Sequence, residues 1–115
     1  MAIDYYVYML TTIPKRVPSL AKTLSSLNTE HVEAIVLNYP KICKKTNEAY
    51  PPIPQSLLDQ FPKLVINHCD NDYGSMTKLL PGIPFLKQRY PNKNVGIILC
   101  DDDMLYHPSL AADFM

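Results

Sequence analysis

Four short apolar runs, separated by helical or irregular stretches, constrain the fold of this chain more than any other feature of its sequence. They span residues 5–10, 34–37, 64–66 and 95–100. Aromatic and β-branched residues dominate these runs, which is typical of β-strands, and the continuous apolarity of 34–37 is typical of a strand buried on both faces. Strands that alternate with helices usually form a mainly parallel sheet. The sequence therefore predicts an α/β fold with a mainly parallel sheet flanked by helices.

The stretches between the runs carry helical spacing or turn residues. Apolar residues at helical spacing predict a helix over 18–27, with Pro18 in its first turn. Residues 41–54 are polar and rich in proline, and a loop of that length inside a domain is usually functional or mobile. Further helices are expected over 55–61, over 85–90 and from 108 onward. Another helix is expected to begin near Ser75 and to be interrupted by Pro81, Gly82 and Pro84.

Length, charge and cysteine content narrow the class of protein. A chain of 115 residues with 47% hydrophobic content fits one domain with a buried core. Zero formal net charge argues against a nucleic-acid binder that relies on bulk positive charge. The three cysteines show no CxxC spacing, so neither a disulfide framework nor a structural zinc site is indicated, and a reducing, cytoplasmic setting is expected. We expect no signal peptide and no membrane span.

The fourth apolar run leads directly into Asp101, Asp102 and Asp103. Adjacent carboxylates repel one another and resist desolvation, so they are tolerated where water or a cation neutralises them. Because ligands bind at the carboxyl ends of parallel strands, and because Mg²⁺ and Mn²⁺ prefer oxygen ligands, the triplet predicts a metal–diphosphate site. Asp101 and Asp103 project to similar sides of an extended chain and could hold one metal ion, while Asp102 points elsewhere, toward a sugar hydroxyl. The alternatives are a polar turn in which Asp103 caps a helix, and a solvated Asp102.

Polar residues also follow the first two runs. Thr11 and Thr12 could contact a nucleobase through backbone or hydroxyl groups. Arg16 could reach a phosphate or a base, with a surface ion pair as the alternative. Asn38 could bind a base or a ribose, with a local turn before Pro40 as the alternative.

The turn after the third run supplies further candidates. Lys78, near a predicted helix start, suits a phosphate group, with a solvated surface lysine as the alternative. Asp72 could accept a hydrogen bond from a base or could organise the turn, and Gly74 could simply provide a positive φ angle. His107 is expected to be a turn histidine rather than a late metal ligand.

Three segments, taken in order, resemble the nucleotide-sugar glycosyltransferases of the GT-A fold. They span residues 11–16, 72–81 and 101–106. The last segment resembles the DxD motif of that family, and the middle one resembles a subgroup motif of the form DYGxxTKL. Within the family, the chain is similar to glycosyltransferase domains at the N-terminus of multidomain chlorella-virus enzymes that build capsid glycans. The resemblance covers nearly the whole chain.

The resemblance implies metal-dependent transfer of a sugar from a nucleoside diphosphate donor, with a UDP-sugar favoured, to a glycan or glycoprotein acceptor. It implies a viral protein in the host cytoplasm, with no nucleic-acid partner. A GT-A domain continues beyond its DxD motif, so residues 1–115 are expected to be the donor-binding half alone, truncated after the motif. Such a piece could lack independent activity, and we expect it to leave an apolar surface open.

By the same resemblance, individual residues take on roles in donor binding. Asp101 and Asp103 are assigned to Mn²⁺ or Mg²⁺ and to the diphosphate, and Lys78 to the donor phosphates. The resemblance places three further residues around the nucleoside, namely Thr11, Asn38 and Asp72. It names neither a catalytic base nor the donor sugar, and it leaves open whether the reaction retains or inverts the anomeric configuration.

Two other functions stay open. A Mg²⁺-dependent phosphoryl-transfer or receiver-like α/β domain would need carboxylates from two strand ends, whereas the first run ends in threonines. A non-catalytic nucleotide-binding module would use the same cleft without turnover, and hydrolysis of a sugar nucleotide would separate it from an enzyme.

Overall fold

The computed structural model describes residues 2–29 and 32–106 and confirms the α/β class. Within these residues, four strands form one parallel sheet, with helices on both of its faces. The strands are β1 (Tyr5–Leu10), β2 (Ala34–Tyr39), β3 (Leu64–His68) and β4 (Val95–Leu99). The α-helices are α1 (Leu20–Leu27), α2 (Gln55–Gln60) and α3 (Gly82–Arg89). This architecture is compatible with a Rossmann-like fold.

The order of the strands across the sheet is β3-β2-β1-β4. The chain moves outward from β1 through β2 to β3 and then returns across the sheet to place β4 on the other side of β1. The helices α1 and α2 pack on one face, and α3 packs on the other. The connection that follows β1 runs over one face of the sheet, whereas the connection that leads into β4 runs over the other face. A crevice therefore opens between these two connections, at the carboxyl ends of β1 and β4.

Alternation of side chains along the central strands builds a core on each face. Tyr8 and Leu10 of β1 face the layer of α1 and α2, while Val7 and Met9 face α3. Every residue of β2 is buried, which confirms the prediction of a strand covered on both faces.

Two helical stretches differ from the predictions because prolines and a glycine divide them. A 3₁₀ helix over Pro14–Ser19 precedes α1, and Pro18, which has no N–H donor, lies inside it. The helix expected from near Ser75 is a 3₁₀ helix over Gly74–Lys78, so Lys78 lies in its last turn rather than near its start. The following α-helix begins at Gly82, earlier than expected, with Pro84 in its first turn, where the missing N–H breaks no intrahelical bond.

The outer strand β4 is covered on one face only. Ile98 is buried toward α1, whereas Ile97 and Leu99 on the opposite face are 36% and 43% exposed. No helix within residues 2–29 or 32–106 has the length and apolarity that crossing a membrane would require. Cys43, Cys69 and Cys100 are free thiols. The predictions for His107 and for a helix from 108 onward lie outside the described residues.

Candidate functional site

A cleft of about 600 Å³ opens at the carboxyl ends of β1 and β4, at the switch point of the sheet. The structure brings together most of the sequence-predicted residues along its lining. These are Thr11, Thr12, Arg16, Asp72, Gly74, Lys78, Asp101 and Asp102. Of the other two predicted residues, Asn38 is buried beneath the cleft, and Asp103 is exposed as the last residue of the carboxylate triplet.

The carboxylate of Asp102 ties the end of β4 to the rest of the fold. Its Oδ2 accepts a hydrogen bond of 2.6 Å from Thr12 Oγ1, and its Oδ1 accepts one of 2.9 Å from Arg16 Nη1. Its backbone carbonyl accepts a third, of 2.8 Å, from Thr23 Oγ1 in α1. The side chain is only 8% exposed. Asp102 is therefore not solvated, and both of its carboxylate oxygens have partners within the protein.

Asp101 and Asp103 project away from the core, although β4 ends at Leu99 and the chain turns at Asp102 and Asp103 instead of continuing as the extended strand that the prediction assumed. Their side chains are 55% and 57% exposed. Each faces a protein cation: Lys78 Nζ lies 3.4 Å from Asp101 Oδ1, and Arg16 Nη1 lies 3.8 Å from Asp103 Oδ2. The backbone N–H of Asp101 donates to Tyr106 Oη over 2.7 Å, which holds the chain just after β4.

The exposed carboxylates of Asp101 and Asp103 could share a metal ion with the phosphates of a substrate. Within the described residues, no group of three His, Cys, Asp or Glu side chains is arranged to hold a metal alone. However, Mg²⁺ at nucleotide sites is usually bound through one or two carboxylates together with substrate phosphates and water. Asp101 and Asp103 supply that number of hard oxygen ligands.

Asp72 organises the turn that carries Gly74. Its Oδ1 accepts hydrogen bonds from the Gly74 N–H over 2.9 Å and from Thr77 Oγ1 over 2.8 Å. Its Oδ2 accepts from the backbone N–H of Lys44 over 2.7 Å, which links the turn to the loop after β2. Gly74 has a φ of +64°, a conformation that glycine adopts without strain. Both carboxylate oxygens of Asp72 thus have partners within the protein.

Asn38 supports the floor of the cleft from inside the protein. It is fully buried, its Nδ2 donates to the Lys78 carbonyl over 3.1 Å, and its Oδ1 accepts from Asn67 Nδ2 over 2.9 Å. The hydroxyl of Thr11 donates to the Asn38 carbonyl over 2.8 Å. These bonds set the position of the backbone at Lys78 relative to β1.

Four residues of the loop after β2 line the cleft without having been singled out as site residues. They are Cys43, Lys44, Lys45 and Tyr50. The two lysines are exposed and lie beside the cleft. The hydroxyl of Tyr50 donates to the Thr12 carbonyl over 2.7 Å and so joins the loop to β1. The length of this loop was the one signal in the sequence that it contributes to function.

Burial keeps two groups of the cleft neutral. It raises the pKa of Tyr50 well above its ordinary value, and Asp72 adds to the rise. Burial, reinforced by Asp101, raises the pKa of Cys100 to about 12. The pKa of Cys43, in contrast, lies below its ordinary value. Burial acts to raise this pKa, but hydrogen bonds with Thr46 and with the Lys45 backbone outweigh the effect of burial. At neutral pH the electrostatic field of the cleft is therefore dominated by its lysines, its arginine and its aspartates.

Comparison of the chain with models of protein families finds no family that matches, and comparison with curated proteins finds no match either. The function of the cleft is therefore argued from its geometry.

Proposed function

We propose that this chain binds a nucleoside diphosphate sugar together with Mn²⁺ or Mg²⁺, as the donor-binding part of a glycosyltransferase of the GT-A fold. The cleft at the carboxyl ends of β1 and β4 carries this proposal. Its volume of about 600 Å³ lies within the range of small-molecule sites. It also combines cationic side chains with exposed carboxylates, which is the pairing that a metal-bound diphosphate requires.

The charges in the cleft suit a departing diphosphate. Lys78 lies beside Asp101, and Lys44 and Lys45 lie on the loop across the cleft. Ammonium groups that line the cleft stabilise the negative charge that develops on the diphosphate as it leaves. A metal ion, when bound, would be held by Asp101 and Asp103 and would add positive charge to the diphosphate.

We assign the nucleoside to the side of the cleft formed by Thr11 and Tyr50. Tyr50 offers an aromatic ring and is anchored by its hydroxyl, so it provides a rigid surface for a base. Asp72 and Asn38 act on the nucleoside indirectly, because their polar groups bind the turn and the cleft floor. The glycan or glycoprotein acceptor and the preference for UDP follow from the sequence resemblance alone.

The geometry favours this function over a phosphoryl-transfer or receiver-like domain. Such a domain needs ionised carboxylates from two strand ends, but β1 ends in Thr11 and Thr12. The carboxylate of Asp102, the middle residue of the triplet, already accepts hydrogen bonds from Thr12 and Arg16. A carboxylate with two internal partners is poorly placed to receive a phosphoryl group or to coordinate an ion.

Calorimetry with UDP, in Mn²⁺ and in chelator, tests donor binding. Because Asp101 and Asp103 supply both metal ligands, we expect Mn²⁺ to tighten UDP binding about tenfold or more, and we expect Asp103→Ala to abolish this dependence. Asp70→Ala is the matched control, because Asp70 is exposed and pairs with Lys41 outside the cleft lining. Equal UDP affinity with Mn²⁺ and with chelator would contradict the proposal. Parallel titrations with GDP test the preference for uridine.

Turnover separates an enzyme from a non-catalytic module. We expect the chain to release UDP from a UDP-sugar slowly in the presence of Mn²⁺, because water can replace a missing acceptor. Asp103→Ala should lose this release and Asp70→Ala should retain it. Tight binding of UDP without release from any UDP-sugar would show that residues 1–115 bind the donor without catalysing its breakdown.

A further inference from the structure

The two carboxylates assigned to the metal already face protein cations. Lys78 Nζ lies 3.4 Å from Asp101 Oδ1, and Arg16 Nη1 lies 3.8 Å from Asp103 Oδ2. A divalent cation placed on these carboxylates would be repelled by both side chains. A single and a double positive charge only a few ångströms apart repel one another even in bulk water. The protein cations therefore oppose metal binding while the cleft is empty.

The two cations differ in how firmly the fold holds them. The guanidinium of Arg16 is anchored by its 2.9 Å bond to the buried carboxylate of Asp102. Asn38 holds the backbone of Lys78 by a hydrogen bond to its carbonyl. The ammonium group of Lys78, in contrast, pairs with the exposed carboxylate of Asp101. Lys78 is thus the cation that can move without breaking a buried contact.

We propose that Lys78 is an exchangeable counterion, a role that rests on the proposed function of the cleft. In the empty cleft its ammonium pairs with Asp101. When a diphosphate enters, the ammonium transfers to the phosphate oxygens, and Asp101 becomes available to the metal. Binding of diphosphate and binding of metal are then positively coupled, and the coupling is reciprocal. Metal alone then binds weakly, so the cleft stays free of metal until a diphosphate enters.

The test measures binding of Mn²⁺ alone, by electron paramagnetic resonance of the free ion, in the 115-residue chain. Lys78→Met removes the competing charge and keeps the length of the side chain. We expect Mn²⁺ alone to bind this variant about five- to tenfold more tightly than the wild type, because an ion pair and a repulsion are both lost. UDP alone should bind it more weakly. The factor by which UDP tightens Mn²⁺ binding should shrink accordingly.

Two control variants isolate the exchange from a general loss of charge. Lys45→Met removes a positive charge from the same cleft, but Lys45 has no ion pair with the triplet in the described part of the chain. We expect it to change Mn²⁺ affinity about twofold or less. Lys78→Arg keeps the pairing and should bind Mn²⁺ as weakly as the wild type. If circular dichroism shows that Lys78→Met is unfolded, Lys78→Gln provides the same comparison.

The outcomes separate this inference from the proposed function. If UDP and Mn²⁺ bind the wild type together, but neutral variants at position 78 bind Mn²⁺ no more tightly than the wild type, the counterion role is wrong and donor binding stands. An equal gain in Lys45→Met would likewise overturn it, because the effect would then be one of net charge. If the wild type binds neither UDP nor Mn²⁺, even in combination, the proposed function itself fails.

Discussion

Three adjacent aspartates with the same chemistry occupy different environments in this chain. Asp102 points inward to Thr12 and Arg16, whereas its two neighbours are more than half exposed. The chain turns here after the end of β4, so the contacts of Asp102 with Thr12, Arg16 and Thr23 account for the difference. We therefore expect Asp102 to act on stability and its neighbours to act on binding.

Substitution of the inner aspartate tests this division of roles. Asp102→Ala leaves the hydroxyl of Thr12 and the guanidinium of Arg16 without their carboxylate, so we expect the free energy of unfolding to fall by about 2–4 kcal/mol. Asp103→Ala, at an exposed position, should change it by less than about 0.5 kcal/mol. Urea denaturation of both variants measures the two values. Equal losses would show that Asp102 is not the structural member of the triplet.

The sequence indicates the alternation within the triplet but not the partners of its members. Asp102 and Thr12 are 90 positions apart, and nothing local to either residue specifies the bond between them. The same holds for Asn38, whose amide bonds to the side chain of Asn67 in β3 and to the Lys78 carbonyl. A polar residue at a strand end can serve the fold or the ligand, and only the long-range packing decides which.

At the scale of elements, the loop after β2 has the largest effect on the shape of the cleft. An antiparallel bridge between Ile42 and Ala49 closes it into a compact unit. It is attached to the turn after β3 through the backbone of Lys44, and to β1 through the hydroxyl of Tyr50. Two exposed lysines therefore stand on a loop with a few defined anchors.

Removal of one anchor should loosen this loop without unfolding the protein. In Tyr50→Phe the hydrogen bond to the Thr12 carbonyl is lost, so we expect trypsin to cleave after Lys44 and Lys45 several times faster than in the wild type. UDP with Mn²⁺ should slow this cleavage in both proteins. Cleavage after Arg89, in α3, is the internal control and should keep its rate. If cleavage of the loop is unchanged, Tyr50 is not an anchor.

The regular elements were more predictable than the loop. Apolar runs and helical spacing are local signals, and they located β1, β2 and α1. The stretch that carries Lys78 was harder, because Pro81 and Gly82 end one helical segment and begin another. The anchors of the loop lie in distant segments, so its contribution to the cleft could not be read from its own residues.

At the scale of the whole molecule, one face of β4 is open. Ile97 and Leu99 are exposed beside Ile83 of α3, and β4 has no neighbour on its outer edge within the described residues. Soluble monomers seldom leave large contiguous apolar surfaces without a partner, and an exposed strand edge can pair with another chain. We therefore expect association with other chains at this strand.

We expect the 115-residue chain to self-associate through this face at high concentration. The double variant Ile97→Thr with Leu99→Thr keeps β-branched or strand-compatible character but reduces the apolar surface, so its monomer fraction should rise. Sedimentation velocity measures the two distributions. The control variant Ile42→Thr, at an exposed position on the loop after β2, should leave association unchanged. A wild type that stays monomeric across the concentration range would contradict this expectation.

The α/β class followed from the alternation of strands and helices, but the order of the strands did not. Polar residues at four strand ends could only be expected to meet somewhere along one edge of the sheet. The position of β4 next to β1 is what brings the aspartate triplet to Thr11 and Thr12. That placement depends on the crossing of α3 over the opposite face, which arises from packing across the whole sheet.

A crystal structure of the chain with Mn²⁺ and UDP tests the central claim most directly. Donor binding predicts density for UDP in the cleft between β1 and β4, and an anomalous manganese peak at the carboxylates of Asp101 and Asp103. Lys78 should have left Asp101 and should contact the diphosphate. UDP bound elsewhere, or a fully occupied cleft whose aspartates carry no manganese, would contradict the account.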